Sequence, residues 1–259
     1  MDPATAIGAG LALVAIFGSI FMEGGNIGSV FLPAPMVLVF GGTIGAAMAG
    51  ALMHDVKAVP KQFVRAVTQK AAAPGASVET IVALATRARR DGLLSLEADV
   101  AALDDPFLRR ALEMAVDGTD SDELAEILGA EIDAKRAADH AAAKFFQDMG
   151  GYSPTIGIIG TVLGLIHVLG DLADPASLGG KIASAFVATL WGVLAANIFW
   201  FPLANRLRRI ADSEAEEMEL ALEGVMAIQA GSNPRLIAQK LQSMLPARVP
   251  EAADERQVA

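Results

Sequence analysis

Two hydroxyls stand out in stretches that otherwise carry almost nothing able to titrate. In "SPTIGIIGTVLGLIHVLGD", residues Ser153 to Asp171, Gly157, Gly160, Thr161 and Gly164 recur at i, i+3, i+4 and i+7 and therefore share one face of a helix. "AFVATLWGVLAAN" repeats the arrangement, with Ala185, Gly192 and Ala196 on the face of Thr189. Two readings of these threonines stand open. A threonine hydroxyl can bond its own i−4 carbonyl and do nothing more. Alternatively, two small faces with one hydroxyl each line a narrow polar path, where hydroxyls replace lost hydration. An ion path through apolar surroundings usually shows an Asp or Glu, yet Glu23 and Asp171 lie only at the ends of apolar runs. His167, the one interior group that titrates near neutrality, reads as an interface-level histidine bonded to a neighbour. If the chain conducts ions, a partner supplies the carboxylate.

Other chemistry is missing. No G-x-x-x-x-G-K-[ST] loop suggests nucleotide hydrolysis, and the glycine-rich "GSIFMEGGNIG" lies between two apolar runs rather than before a soluble helix. The chain has no cysteine, and its three histidines, His54, His140 and His167, show no ligand spacing. No catalytic, cofactor-binding or metal-ligating set is expected, and the protein reads as no enzyme. A net charge of −10 sits poorly with nucleic-acid binding.

The elements that position the hydroxyls follow from charge distribution. Pro3 to Met22, Gly24 to Met53, Met149 to Gly170 and Ile182 to Asn205 contain no Asp, Glu, Lys or Arg. Each can house the roughly 20 apolar residues that a hydrocarbon core of about 30 Å requires. The mean hydropathy of +0.45 thus averages apolar spans with charged, Ala-rich segments. The expected fold is all-α: a polytopic membrane protein with four transmembrane helices in two hairpins and a helical cytoplasmic domain. Its expected organisation is a first hairpin over 1–53, a cytoplasmic helical domain over 54–148, a second hairpin over 149–205, and a cytoplasmic C-terminal helix and tail over 206–259. Twelve Lys and Arg lie between Lys57 and Lys144, seven lie between Arg206 and Arg256, and only Lys181 falls in a short loop between spans. The positive-inside rule then puts the long loop and both termini in the cytoplasm. The opening "MDPATAIGAG" lacks the basic residues of a cleavable signal, so the first span is read as retained.

The spans are rich in small residues, among them Gly41, Gly42 and Gly45, which let backbones approach closely where lipid offers no hydrophobic drive for association. Pro33 and Pro35 mark the start of the second span, Pro154 opens the third, and Pro202 closes the fourth. In the long loop, helices are expected over Lys57–Lys70, then from an N-cap at Ser77 to a stop at Gly92. "LLSLEADVAAL" is shorter, and the next helix follows a cap at Asp105 with Pro106 at its first position. The segment opening with Asp120 and Glu123 has the arrangement of a capping box. It is expected to run on into the third span as one helix much longer than the membrane is thick. Arg206, Arg208 and Arg209 read as anchors at the inner interface, and "PARVPEAADERQVA" as a frayed tail.

Three motifs in this order, "GSIFMEGGNIGSVFLPAPMVLVFGGTIGA", "SPTIGIIGTVLGL" and "ATLWGVLAANIFWFPLANRL", resemble the flagellar motor stator family MotA/PomA, and the likeness extends over nearly the whole chain. It implies a stator subunit of the bacterial cytoplasmic (inner) membrane that, with a MotB-like single-span protein bearing a membrane aspartate, turns H+ or Na+ flow into torque. It further implies a homo-oligomer, five copies in the family's assembled form, and contact with the rotor switch protein FliG. Residue by residue, Pro154 and Pro202 match the prolines tied to ion-coupled movement, and Thr189 matches the pore-side threonine of the fourth span. Thr161 matches a position that carries a hydroxyl in sodium-type members and often alanine in proton-type ones. "ATRARRDGLLSLEAD" resembles the rotor-facing segment, which makes Arg89, Arg90 and Glu97 its candidate charges. Those residues also have an ordinary reading: Arg89 and Arg90 sit in a last helical turn, where cations meet the helix dipole, and Glu97 on a solvated face. The alternative within the superfamily is an ExbB/TolQ-like energiser of an outer-membrane system, whose members usually have three spans.

Overall fold

The computed structural model describes residues 3–170, 172 and 175–246. Among them every regular element is a helix. Ten α-helices follow in order: α1 (Pro3–Met22), α2 (Pro33–Ala49), α3 (Met53–Thr68), α4 (Val78–Asp91), α5 (Glu97–Ala101), α6 (Pro106–Val116), α7 (Ser121–Gly170), α8 (Pro175–Leu194), α9 (Phe201–Gln229) and α10 (Pro234–Met244). Short 3₁₀ turns occupy Ile27–Val30 and Leu93–Leu96, and a π-helical turn, Ala195–Trp200, joins α8 to α9. Three helices are long and apolar enough to cross a membrane: α1, α7, and the continuous run through α8 into α9. The fourth expected span, α2, is apolar but only 17 residues long. No residue of Thr5–Met22 is fully buried: Leu13, Ile16 and Phe17 pack partly against the α2 and α8 cluster, while Ile7, Leu11 and Val14 stay exposed to lipid or to another chain.

The chain divides into two compact units, one of Met1–Lys70 with Ala138–Ala211 and the other of Ala71–Ala137 with Asp212–Ala259. In the first unit, Val39 of α2 packs with Val187, Ala188, Trp191 and Leu194 of α8. Trp191 also anchors the loop after α1: its indole N–H donates to the Val30 carbonyl at 2.6 Å, and its ring meets Phe31 edge-on at 5.3 Å. A second cluster joins Ala66 of α3 to Phe146 and Met149 of α7 and to Ala204 and Leu207 of α9. The other unit has its own core, in which Ile81, Leu108, Leu112, Leu124, Ile237 and Leu241 are almost fully enclosed.

Local chemistry explains most boundaries. Pro33 begins α2 and Pro106 begins α6, where a missing N–H has no intrahelical partner to lose. Asp105 accepts from the N–H groups of Phe107 and Leu108, and Asp120 from that of Asp122. Gly92 ends α4 at φ +85°, a backbone conformation that a side chain would disfavour. Ser77 holds the N-cap position of α4 as expected, but its side chain makes no capping bond; the hydroxyl donates to the Glu217 carboxylate at 3.3 Å. The expected long helix is α7, 50 residues with Pro154 inside it. No helix ends at Pro202: the π turn widens the helix just before it, and α9 continues to Gln229. Residues 247–259, with the expected frayed tail, lie outside the described residues, as does Asp171.

Candidate functional site

The two small faces meet each other. A Cβ on Gly164 would stand 2.5 Å from the Ala185 Cβ, and one on Gly157 would stand 2.9 Å from the Ala188 carbonyl oxygen. From the opposite side, a Cβ on Gly192 would come 2.7 Å from the Ser153 carbonyl oxygen. No larger residue fits without moving backbone, so α7 and α8 lie backbone against backbone, as small-residue faces permit.

Between these helices the two hydroxyls touch. Thr161 Oγ1 and Thr189 Oγ1 are 2.5 Å apart, and Thr161 donates to the Ala185 carbonyl at 2.9 Å. Its own i−4 carbonyl, that of Gly157, is farther at 3.3 Å. The in-helix bond is therefore the weaker contact and the cross-helix bond the stronger. Two hydroxyls and two carbonyl oxygens, those of Gly157 and Ala185, form one cluster of oxygen atoms, in which each carbonyl also faces the N–H four residues on in its own helix. Both threonines are half-buried.

The prolines flank the same helix pair. Pro154 leaves the Gly150 carbonyl without its i+4 N–H, and Pro202 does the same to that of Ile198. Phe201, next to Pro202, packs its ring onto Gly150, where an added Cβ would lie 2.6 Å from Cδ1. The two weakened turns are thus in contact. Two hydroxyls beside them, Thr43 and Ser153, are fully buried and find no hydrogen-bond partner among the described residues. Sequence reasoning missed both, and it missed the bidentate pair of Arg65 with Asp139 at 2.5 and 3.1 Å, mostly buried against α3 and α7. Those partners are 74 positions apart, so no local pattern announces them. Arg206 donates to the Gln69 carbonyl and to the Thr5 hydroxyl, each at 2.9 Å, and Arg208 donates to Gln147.

Arg89, Arg90 and Glu97 lie in the other unit, and all three are exposed. Arg90 grips neighbouring Asp91 at 2.8 Å, and the hydrogen bond it gives holds that carboxyl below its ordinary range. Arg87, not singled out by the sequence, pairs with Asp99 at 2.6 Å. No group of three or more metal-type ligands occurs among the described residues.

Comparison with known proteins gives the family and the fold. Residues 99–220 match the model of the MotA/TolQ/ExbB proton channel family, and residues 6–92 match that of the Motility protein A N-terminal region. Motility protein A of Bacillus subtilis (strain 168) is 35% identical over 96% of this chain and 92% of its own length. The chain belongs to the MotA/TolQ/ExbB proton channel family. Within it, motility protein A of Aquifex aeolicus is 34% identical, covering 97% of this chain and 99% of that protein. The solved structure of C. jejuni MotAB superposes with a TM-score of 0.92 at 28% identity, over 96% of this chain and 98% of that one. The flagellar MotAB stator complex from Bacillus subtilis does so at 0.87 and 35%, over 94% and 96%. Membership accounts for the apolar helices: this is a membrane protein of an ion-channel family.

Proposed function

We propose that the chain is a stator subunit of a bacterial flagellar motor, assembled in several copies around a MotB-like single-span partner. The observation that carries this reading is the Thr161–Thr189 contact: an oxygen-rich seam between two closely packed helices, with no carboxylate beside it. The partner supplies that carboxylate as a membrane aspartate. A ring of five copies, the family's assembled form, surrounds it with α7 and α8 innermost. An ion moving down the membrane potential releases about 2.3 kcal/mol per charge per 100 mV, comparable with the roughly 1–3 kcal/mol of a typical coupling between sites. Each ion can therefore switch a packed helix pair between two states. Pro154 and Pro202 supply the deformable turns, and Arg89, Arg90 and Glu97 act on FliG.

The cytoplasmic parts in this reading are 54–148 and 206–259, the membrane hairpins are 1–53 and 149–205, and both termini lie inside. The driving ion in this reading is H+ or Na+; the family resemblance ties a hydroxyl at Thr161 to sodium-type members, while the matched family model is that of a proton channel family. The match of residues 6–92 to the motility protein A N-terminal region supports the stator over an ExbB/TolQ-like energiser.

The test replaces Thr161 and Thr189 by alanine, singly and together, in a motile host. Swimming speed is then measured against Na+ concentration and against pH. A changed ion dependence is expected for each single variant, with the double variant no worse than the poorer single one. Wild-type speed and ion dependence in all three would remove the seam from the ion path.

A further inference from the structure

α3 carries a surface that the stator reading leaves unused. Its inward face packs Ala66, Val56 and Val59 against the protein. Its outward face is divided lengthwise. At about 100° per residue, Met53, Pro60 and Val64 share one edge and Lys57, Lys61 and His54 the adjoining edge, while Phe63 falls between Val56 and Val59 at the margin of the packed face. Met53 is 65% exposed, Val64 56% and Phe63 45%, and the lysines are exposed as well. Residues 53–70 hold four cations, Lys57, Lys61, Arg65 and Lys70, against the single carboxylate of Asp55, in a chain whose net charge is −10. Several cations elsewhere pair, Arg87 with Asp99, Arg110 with Glu131, Arg136 with Glu219 and Lys144 with Asp148. Lys57, Lys61 and Lys70 have no carboxylate partner among the described residues.

Position limits what this face can meet. Only Gly50, Ala51 and Leu52 separate α3 from the apolar helix α2. Three residues span at most about 11 Å, so α3 begins within the headgroup depth of whichever leaflet α2 ends in. Pro60 narrows the depth further. It frees the Val56 carbonyl, which would be unsatisfied in hydrocarbon but can be solvated among headgroups.

We propose that α3 is an interfacial helix that binds anionic phospholipid, with Met53 and Val64 sunk below the headgroups and Lys57 and Lys61 on their phosphates, Lys70 following just beyond its end. Apolar residues on one edge and lysines on the next are what an in-plane helix needs, and each basic residue near an anionic surface adds roughly fivefold to the affinity. The inference rests on membrane residence alone and holds for either orientation of the chain.

The test uses the full-length chain co-expressed with its single-span partner and reconstituted in bilayers of phosphatidylcholine with and without phosphatidylglycerol. Because the chain has no cysteine, Val64→Cys, Met53→Cys and Lys61→Cys each accept a single nitroxide. Labels at 53 and 64 are expected to collide severalfold more with oxygen than with a water-soluble nickel chelate, and the label at 61 to do the reverse. Preference for the chelate at all three positions places the face in water and overturns the proposal. Shielding from both reagents overturns it as well, because a neighbouring subunit then covers α3. In the K57Q/K61Q variant, phosphatidylglycerol retained per complex through purification should fall severalfold while phosphatidylcholine does not. Unchanged retention sinks the anionic-lipid assignment.

Discussion

At the scale of single residues, the seam depends on atoms that are absent. Gly164→Leu and Gly157→Val each put side-chain atoms where Ala185 or the backbone at Ala188 already stands. Overpacking of this kind costs about 1–3 kcal/mol, and more where backbone must shift. Both variants should unfold at lower temperature in detergent and recover less assembled complex, whereas Gly8→Ala, with open space around it, should leave both readouts unchanged. The rotor-side charges make a different prediction. Arg90 and Asp91 lie at the surface, so their pair stabilises the fold little. Asp91 has its carboxyl held low by the Arg90 hydrogen bond, so the pair persists above the ordinary carboxylate range and is lost only as pH falls through that lowered value. Asp91→Asn should release Arg90 for an intermolecular partner and alter torque without changing thermal stability. Arg90→Glu should impair rotation while membrane insertion stays normal. A motor that keeps full torque with Arg90→Glu would remove that patch from the rotor contact.

At the scale of elements, the interrupted turns are the informative ones. A proline inside a helix costs about 3 kcal/mol relative to alanine, and here two such positions adjoin through Phe201 and Gly150. Pro154→Ala restores the hydrogen bond to the Gly150 carbonyl, so it should raise the melting temperature while slowing the motor. Equal speed with higher stability would show that the weakness of this turn is not used. The sequence announced where these elements lie, because charge-free runs, Pro at first turns and Asp at caps are local signals that hydrogen bonding with near neighbours confirms. It also announced the threonine faces, since i, i+3, i+4 spacing is itself the geometry of a helix face. What it left unread was relational. Ser77 has the residue type of a cap, but Glu217, 140 positions away, takes its hydroxyl. Pro202 has the residue type of a terminator, but a wider turn of backbone absorbs its missing N–H and the helix goes on. That the two glycine faces meet each other is likewise a fact about helix pairing.

At the scale of the whole molecule, a few buried polar contacts hold α3 and the helices that cross between units. The Arg65–Asp139 pair ties α3 to α7, and Arg206 of α9 bonds to Gln69 just beyond α3 and to Thr5 of α1. Removing one partner of a mostly buried ion pair costs about 3–5 kcal/mol. Asp139→Asn should therefore lower stability far more than Lys144→Gln, whose i,i+4 partner Asp148 is more exposed. Denaturation of the two variants in the same detergent compares them. A final consequence belongs to α7. The helix runs without a break past Pro154, so the turn that lacks a hydrogen bond lies in the same helix as the threonine seam, about two turns before Thr161. A bend at that turn swings the Thr161 hydroxyl along the face of Thr189 as one piece, because no second proline separates Pro154 from the seam.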